Sequence, residues 1–353
     1  MGEVQLYQRE TYRIVPASSI SDDALLGFAS TVWPDRSRRM LTAWWRCAAP
    51  ECAVAAIDEA SGGVAGICAG RPSIWVIGGK IYDTVSLCDW FVDPRRQGKL
   101  LGRRLLRRFE APGRILNGLS ISDVAVAYLK RMGWAGPFSS SLMALPVPGV
   151  ASLLTRLRAG RCSSLELDDH VVTEGQLPQA LATDLDLIEE ARAHELPARM
   201  RRGADTWSWH VSIFPDRVYR FCLASRAGQP VGYVAVRKLA PGGSRQLGNV
   251  PGALVCDLVA LGDDPVVLRQ LGARAVAYAA QMHAVVALFV TTSPAHRSIL
   301  GSIGFISSSL PLLGPTLARR APVYMWSRQG PGGALAPDDV TMTFLDAALD
   351  LDL

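Results

Sequence analysis

Between Val92 and Leu106 the chain reads VDPRRQGKLLGRRLL, a pattern of residue types suited to holding an anion. From Arg95 to Arg108 it carries seven basic residues (Arg95, Arg96, Lys99, Arg103, Arg104, Arg107 and Arg108) and no acidic one. An apolar run enters Asp93-Pro94, Gly98 permits a turn, and Leu101, Leu105 and Phe109 recur at helical spacing. Small residues at such a turn let backbone N–H groups point at one anion, and the helix N-terminus adds partial positive charge. Flanking Arg and Lys side chains complete a cradle suited to a pyrophosphate. A solvated basic helix after a glycine turn is the alternative reading of the same residues.

That segment accounts for the basic balance of the chain. There are 37 Lys and Arg against 32 Asp and Glu, and without the segment the acids outnumber the bases. A local anion site therefore fits better than a nucleic-acid surface. The far end is the reverse, with Asp338, Asp339, Asp346, Asp350 and Asp352 and no base, an acidic tail.

Other chemistries find little support. The five histidines (His170, His194, His210, His283 and His296) show no ligand spacing and no Cys pair forms CxxC, so no metal is expected. Ser120 lacks the second glycine of a nucleophile elbow, and Gly78-Gly79-Lys80 lacks a P-loop context. Seven cysteines set mostly within apolar runs read as reduced thiols of a cytoplasmic protein. The first residues show no secretory pattern, and no apolar run is long enough to span a membrane.

With 353 residues, 49% of them hydrophobic, the chain has room for about two domains with substantial cores. In the first half we expect a strand at Tyr12–Val15 and a helix over Ala24–Val32 capped by Ser21-Asp22-Asp23. A second helix should carry Arg38–Arg46, with Trp44 and Trp45. Strands follow at Cys52–Glu59, Val64–Pro72 and Ile81–Pro94. After the basic helix come a short strand, RILNGLS, a helix over Asp123–Trp134 and a last strand, SLMALPVP. The pattern is weak over 151–180, which we take as a linker. The second half, 181–330, then repeats the order, leaving 331–353 as the tail. Gly232 stands to it as Gly66 does to the first half, Cys256-Asp257 as Cys88-Asp89, and Gly304-Phe305 as Gly133-Trp134.

The loop Gln97-Gly98-Lys99-Leu100-Leu101-Gly102 resembles the acyl-CoA pyrophosphate loop of the GNAT acyltransferase superfamily, with Leu100 where the family has its first glycine. The helix ending in Gly133-Trp134 is similar to that family's later core helix. The second half resembles the family in element order, but DDPVVLRQLGARA lacks both the glycines and the basic cluster. The resemblance implies an α/β fold of two tandem GNAT-like domains. Each is a mixed, mainly antiparallel sheet flanked by helices, and the acyl-CoA site belongs to 1–150.

It further implies an acyl-CoA-dependent N-acyltransferase in which an amine attacks the thioester directly. The donor is acetyl-CoA or another acyl-CoA, with no metal. The acceptor is a small-molecule amine, such as an amino sugar or a biosynthetic intermediate. The residues implied to bind the donor are Phe91, Val92, Arg96, Gln97, Gly98, Lys99, Leu100, Leu101, Gly102 and Arg103. Asp89, on the strand feeding the loop, is the candidate base, although Asp257 occupies the same place in a half with no evident site. The family's tyrosine acid falls on Leu129, with Tyr128 beside it as the candidate. Trp44-Trp45-Arg46 and Trp207-Ser208-Trp209 are candidate walls of an acceptor cleft. Two alternatives stand beside this reading. One is a donor carried by an acyl carrier protein docked on the Arg103–Arg108 face; the other is a non-catalytic protein that binds acyl-CoA or a partner.

Overall fold

The computed structural model describes residues 11–32, 52–97, 100–110, 114–119, 121–147, 164–195, 198–213, 215–239, 250–308, 323–326 and 340–343. The expected helix over Arg38–Arg46, together with Gly98, Lys99 and Ser120, lies outside them.

The first half opens with β1 (Tyr12–Pro16) and α1 (Asp22–Val32), whose first turn Ser21 caps. β2 (Ala53–Asp58) pairs antiparallel with β3 (Val64–Ile77), and β3 with β4 (Lys80–Val92). The β3–β4 hairpin runs further than Pro72 suggested. Gly78 and Gly79 both sit at positive φ in its two-residue turn, a backbone that glycine adopts without steric cost. α2 (Leu101–Leu106) buries Leu101, Leu105 and Leu106 in the first core, each worth about 1.5–3 kcal/mol relative to exposure. β5 (Ile115–Leu119) pairs parallel with β4. α3 (Asp123–Arg131) starts at an Ser122 N-cap and stops before Gly133, whose φ of 83° closes the helix.

The two sheets exchange strands. β6 (Ala135–Ser139) stays in the first sheet, whereas β7 (Ser141–Pro146) crosses into the second, between β13 (Val286–Thr291) and β14 (Ile306–Ser307). In return β15 (Val323–Trp326) enters the first sheet between β5 and β6. The first sheet thus runs β1-β2-β3-β4-β5-β15-β6. The strand SLMALPVP, expected to finish the first unit, forms where expected and pairs in the other sheet. Its alternating apolar residues fix a buried face but not a partner.

The second sheet runs β14-β7-β13-β12-β11-β10-β8. Its edge, β8 (Glu166–Val172), falls within the stretch expected as a linker. The segment ELDDHVV buries only Val172, so an edge strand here carries no apolar alternation to read. β10 (Tyr219–Arg226), β11 (Gln229–Leu239) and β12 (Gly252–Ala260) follow, with α4 (Gln179–Ala191), α5 (Ala204–Ile213), α6 (Pro265–Gln281) and α7 (Pro294–Ser302). β9 (Ala198–Met200) leaves this half to pair with β3, and β16 (Val340–Thr341), from the expected acidic tail, pairs with β9. One apolar cluster therefore joins the halves, holding Trp75 and Ile115 together with Trp207 and Tyr233.

The internal repeat is visible in the backbone irregularities. Opposite Ala69-Gly70, β4 carries an extra residue, Cys88, and β12 carries Cys256 opposite Ala235-Val236. A second pair of bulges places Ala65 in β3 and Val231 in β11. A bulge bends and re-aims a strand. The bulges at Cys88 and Cys256 make the aspartate, rather than the cysteine before it, the register partner of an alanine.

Candidate active site

β4 pairs with β5 only from Thr84–Ile115 to Leu87–Gly118, yet it runs on to Val92. Past that last rung the two strands share no further register pair, which leaves the β5-facing edge of β4 from Cys88 to Val92 as an opening in the ladder. The bulge at Cys88 lies at its start. Beyond it Asp89 is 4% exposed and Trp90, Phe91 and Val92 are half-buried. Phe91 packs against Phe28 of α1, 6.2 Å between ring centroids.

Trp90 ties the opening together. Its Nε1 donates to the Gly102 carbonyl at 3.0 Å, and its ring meets Tyr128 edge-on at 5.4 Å. Tyr128 also lies under the Arg131 guanidinium, 5.6 Å away. Leu129, the position matching the family's tyrosine, is buried in the first core, so Tyr128 is the residue of α3 that reaches the opening. A side chain at Gly102 would place its Cβ 3.3 Å from Trp90 Nε1, so close packing of α2 on β4 calls for a glycine here.

Leu100 precedes α2 with φ 58° and is 61% exposed. The family's glycine thus corresponds to a left-handed backbone in this chain, and Leu100 adopts it at a cost of about 1–2 kcal/mol. In the first turn of α2 the N–H groups of Leu101, Gly102 and Arg103 have no acceptor within the helix. Arg103 in this turn, and Arg107 and Arg108 past the end of α2, are exposed. Arg104 donates to the Tyr12 carbonyl at 3.0 Å. Arg96 is turned away and bound to Asp58 at 2.6 Å, while Gln97 donates to the Val92 carbonyl. Hydrogen bonds from Ser61 and Arg96 hold the Asp58 carboxyl below its ordinary value. The expected ligands therefore divide: Leu101, Gly102 and Arg103 line the loop, and Arg96 latches it to β2.

The matching opening in the second half is closed. β12 pairs with β13 only as far as Leu254–Leu288, and Thr343 enters beyond that rung, bridging Thr291. Its Oγ1 donates to Asp257 Oδ1 at 2.9 Å. The other carboxylate oxygen takes the Tyr233 hydroxyl at 2.6 Å and lies 3.2 Å from Arg202 Nε. Asp257 and Thr343 are fully buried. Burial and the Asp257 charge push the Tyr233 phenol well up, so it remains a donor. At the start of α6 the Asp264 carboxylate accepts from the Val266 and Val267 N–H groups, occupying the donors an anion would need.

A chamber of about 380 Å³ lies where β3 and β4 meet residues of α5 and β9. Its wall includes Arg71, Ser73 and Thr84 from the sheet and Met200, Thr206 and Trp209 from the second half. Arg71 is a functional candidate that sequence reasoning missed. Its signal was a charged side chain inside an apolar strand, echoed by the buried Arg237. Among the described residues no cluster of three or more His, Cys, Asp or Glu could hold a metal, and no helix is long and apolar enough to cross a membrane.

No protein-family model matches the chain, and no curated protein matches it in sequence. Solved structures resemble it in fold. A GCN5-related N-acetyltransferase from Anabaena variabilis superposes with a TM-score of 0.61 at 13% identity, over 91% of this chain and 73% of that one. The fold is that of the GNAT acyltransferases, in tandem. A protein of Enterococcus faecalis described as a probable N-acyltransferase gives 0.56 at 8% identity, over 91% and 73%. A tandem GNAT protein from the clavulanic acid biosynthesis pathway gives 0.53 at 14% identity and matches 91% of this chain and 99% of its own.

Proposed function

We propose that the protein is an acyl-CoA-dependent acyltransferase that acylates an amine, with its donor site in the first half only. The observation that carries this reading is the asymmetry of the two splayed strand pairs. The residues of the first opening suit a thioester bearing a nucleotide pyrophosphate. The N–H groups of Leu101, Gly102 and Arg103, which have no acceptor within the helix, would face phosphate oxygens, and Arg103, Arg107 and Arg108 would supply the countercharge. Gly102 keeps the approach to α2 clear. Bound acyl-CoA supplies an acyl group already activated as a thioester, so no further activation of the donor is required.

The protein's own task is to orient the amine, take its proton and exclude water. Asp89, aimed by the Cys88 bulge onto the face that carries the chamber, is placed to receive the proton directly or through water. Tyr128, held between Trp90 and Arg131, borders the opening and serves as the proton donor for the departing thiolate. The second half acts as the roof of the acceptor chamber through α5 and β9. The test is CoA release from acetyl-CoA across a panel of amines. Acceptor-dependent release supports the reading, and donor binding without release for any amine favours a protein that only binds acyl-CoA.

A further inference from the structure

The chamber walled by Arg71, Ser73 and Thr84 has a polarity that specifies its occupant. Arg71, Ser86 and Asn117 are register partners across β3, β4 and β5, so their side chains leave one face of the sheet in a row. All three are at least 96% buried. Among the described residues neither Oδ1 nor Nδ2 of Asn117 has a hydrogen-bond partner. A buried amide with nothing to bond is a rarity that a ligand would resolve. Arg71 stacks on Trp209 at 5.4 Å and donates to the Met200 thioether. Among the side chains of the chamber wall, a guanidinium is the one whose fork geometry matches a carboxylate.

Asp89 pairs with Ala69, the position two before Arg71 on the same strand, so Asp89 and Arg71 are diagonal neighbours on this face. Such neighbours lie about 7–8 Å apart at the backbone, within reach of long side chains. Carboxylates, Asp83 and Asp205, stand exposed among the wall residues, opposite in charge to Arg71. A cavity of about 380 Å³ is at the small end of metabolite sites. Its wall, with Arg71 and Thr84 buried, does not suit an aliphatic chain.

We propose that the acyl acceptor is an α-amino acid. Its carboxylate sits on Arg71 with Asn117 alongside, its α-amine lies beside Asp89, and its side chain extends through the chamber toward Asp83 and Asp205. This rests on the transferase reading above. In the step it implies, the neutral α-amine attacks the thioester carbonyl carbon, the C–N bond forms and the C–S bond breaks. The amine proton passes to Asp89, the thiolate leaves and is protonated, and the products are an N-acyl amino acid and free CoA.

The experiment has two stages. Calorimetry first measures acetyl-CoA binding. CoA release is then followed at saturating acetyl-CoA with each of the common amino acids, its carboxamide and its decarboxylated amine. The best amino acid should exceed its carboxamide and its amine at least 100-fold in kcat/KM. Arg71→Met should erase that preference, lowering kcat/KM for the amino acid while the carboxamide rate stays within threefold and acetyl-CoA affinity is unchanged. Arg71→Lys should recover part of it. Equal rates for amino acid and carboxamide overturn the assignment, as does a protein that binds acetyl-CoA and responds to no amino acid. These comparisons use the unaltered protein and stand whether or not Arg71→Met folds. A protein that fails to bind acetyl-CoA overturns instead the transferase reading itself.

Discussion

Replacing Arg202 with methionine tests whether the second half has turned a catalytic position into a structural one. Asp257 is fully buried and Arg202 is 1% exposed. Their contact at 3.2 Å is joined by the hydroxyls of Tyr233 and Thr343. Removing the cation leaves a carboxylate in a low-dielectric interior with two neutral donors. Breaking a buried pair in this way costs about 3–5 kcal/mol, most of it from the charge left behind. With a urea slope of about 3 kcal/mol per molar, the unfolding midpoint should fall by about 1–1.7 M. Arg202→Met combined with Asp257→Leu removes both charges and should recover most of that loss, giving a coupling that a double-mutant cycle reads directly. The assay is equilibrium urea unfolding of the four proteins, with acetyl-CoA affinity measured alongside and expected to be unchanged. A single Arg202→Met variant within about 0.5 kcal/mol of the parent, the range of ordinary surface substitutions, would refute the reasoning.

Three further outcomes follow from particular side chains. Burial pushes His296, bonded at Nδ1 to Thr291, down to about 3. The unfolded chain therefore binds this proton more readily. The stability His296 contributes is whole above about pH 6.5 and declines as pH falls toward 3, by about 2 kcal/mol at pH 5. Urea unfolding at pH 7.5 and pH 5 measures the slope, which His296→Gln should flatten. Leu100→Gly relieves a left-handed backbone costing about 1–2 kcal/mol and gives back about 0.4–1 kcal/mol through the unfolded chain, a small net gain. Calorimetry should find acetyl-CoA affinity kept or improved, and a large loss would mean that Leu100 itself contacts the donor. Asp89→Asn should lower turnover at least 100-fold, in line with the loss of a general base, with acetyl-CoA affinity unchanged; steady-state kinetics beside calorimetry check this.

Much of the fold could be read from local pattern. The strands from Tyr12 to Val92 and the helix from Ser122 to Gly133 carry their own alternation, caps and terminal glycine. The duplication was legible because Cys88-Asp89 and Cys256-Asp257 sit at twin bulges. The strand exchange was not, since SLMALP specifies a buried face while its partners depend on chain paths that no local pattern encodes. The edge strand Glu166–Val172 was hidden because edge positions tolerate charge. At the site, the loop from Gln97 to Gly102 and the aspartate before it were visible as residue types. Spacing alone could not say that Arg96 would be engaged by Asp58, or that Leu129 would face the core and leave Tyr128 at the opening. Nor could it bring Arg71, Asn117 and Trp209 near one another, because they come from separate strands and from the other half of the chain.

In the proposed division of labour two similar folds share one chain and only the first takes a ligand. Titration of the intact protein with acetyl-CoA, by calorimetry and by native mass spectrometry, reads this out. Saturation is expected at one acetyl-CoA per chain, abolished by Gly102→Glu, which sets a carboxylate against both Trp90 and the first turn of α2. That stoichiometry should not change when Asp264→Ala frees the N–H groups at the start of α6, because Thr343 and Asp257 still seal the second opening. Two equivalents per chain, or one that survives Gly102→Glu, would contradict it.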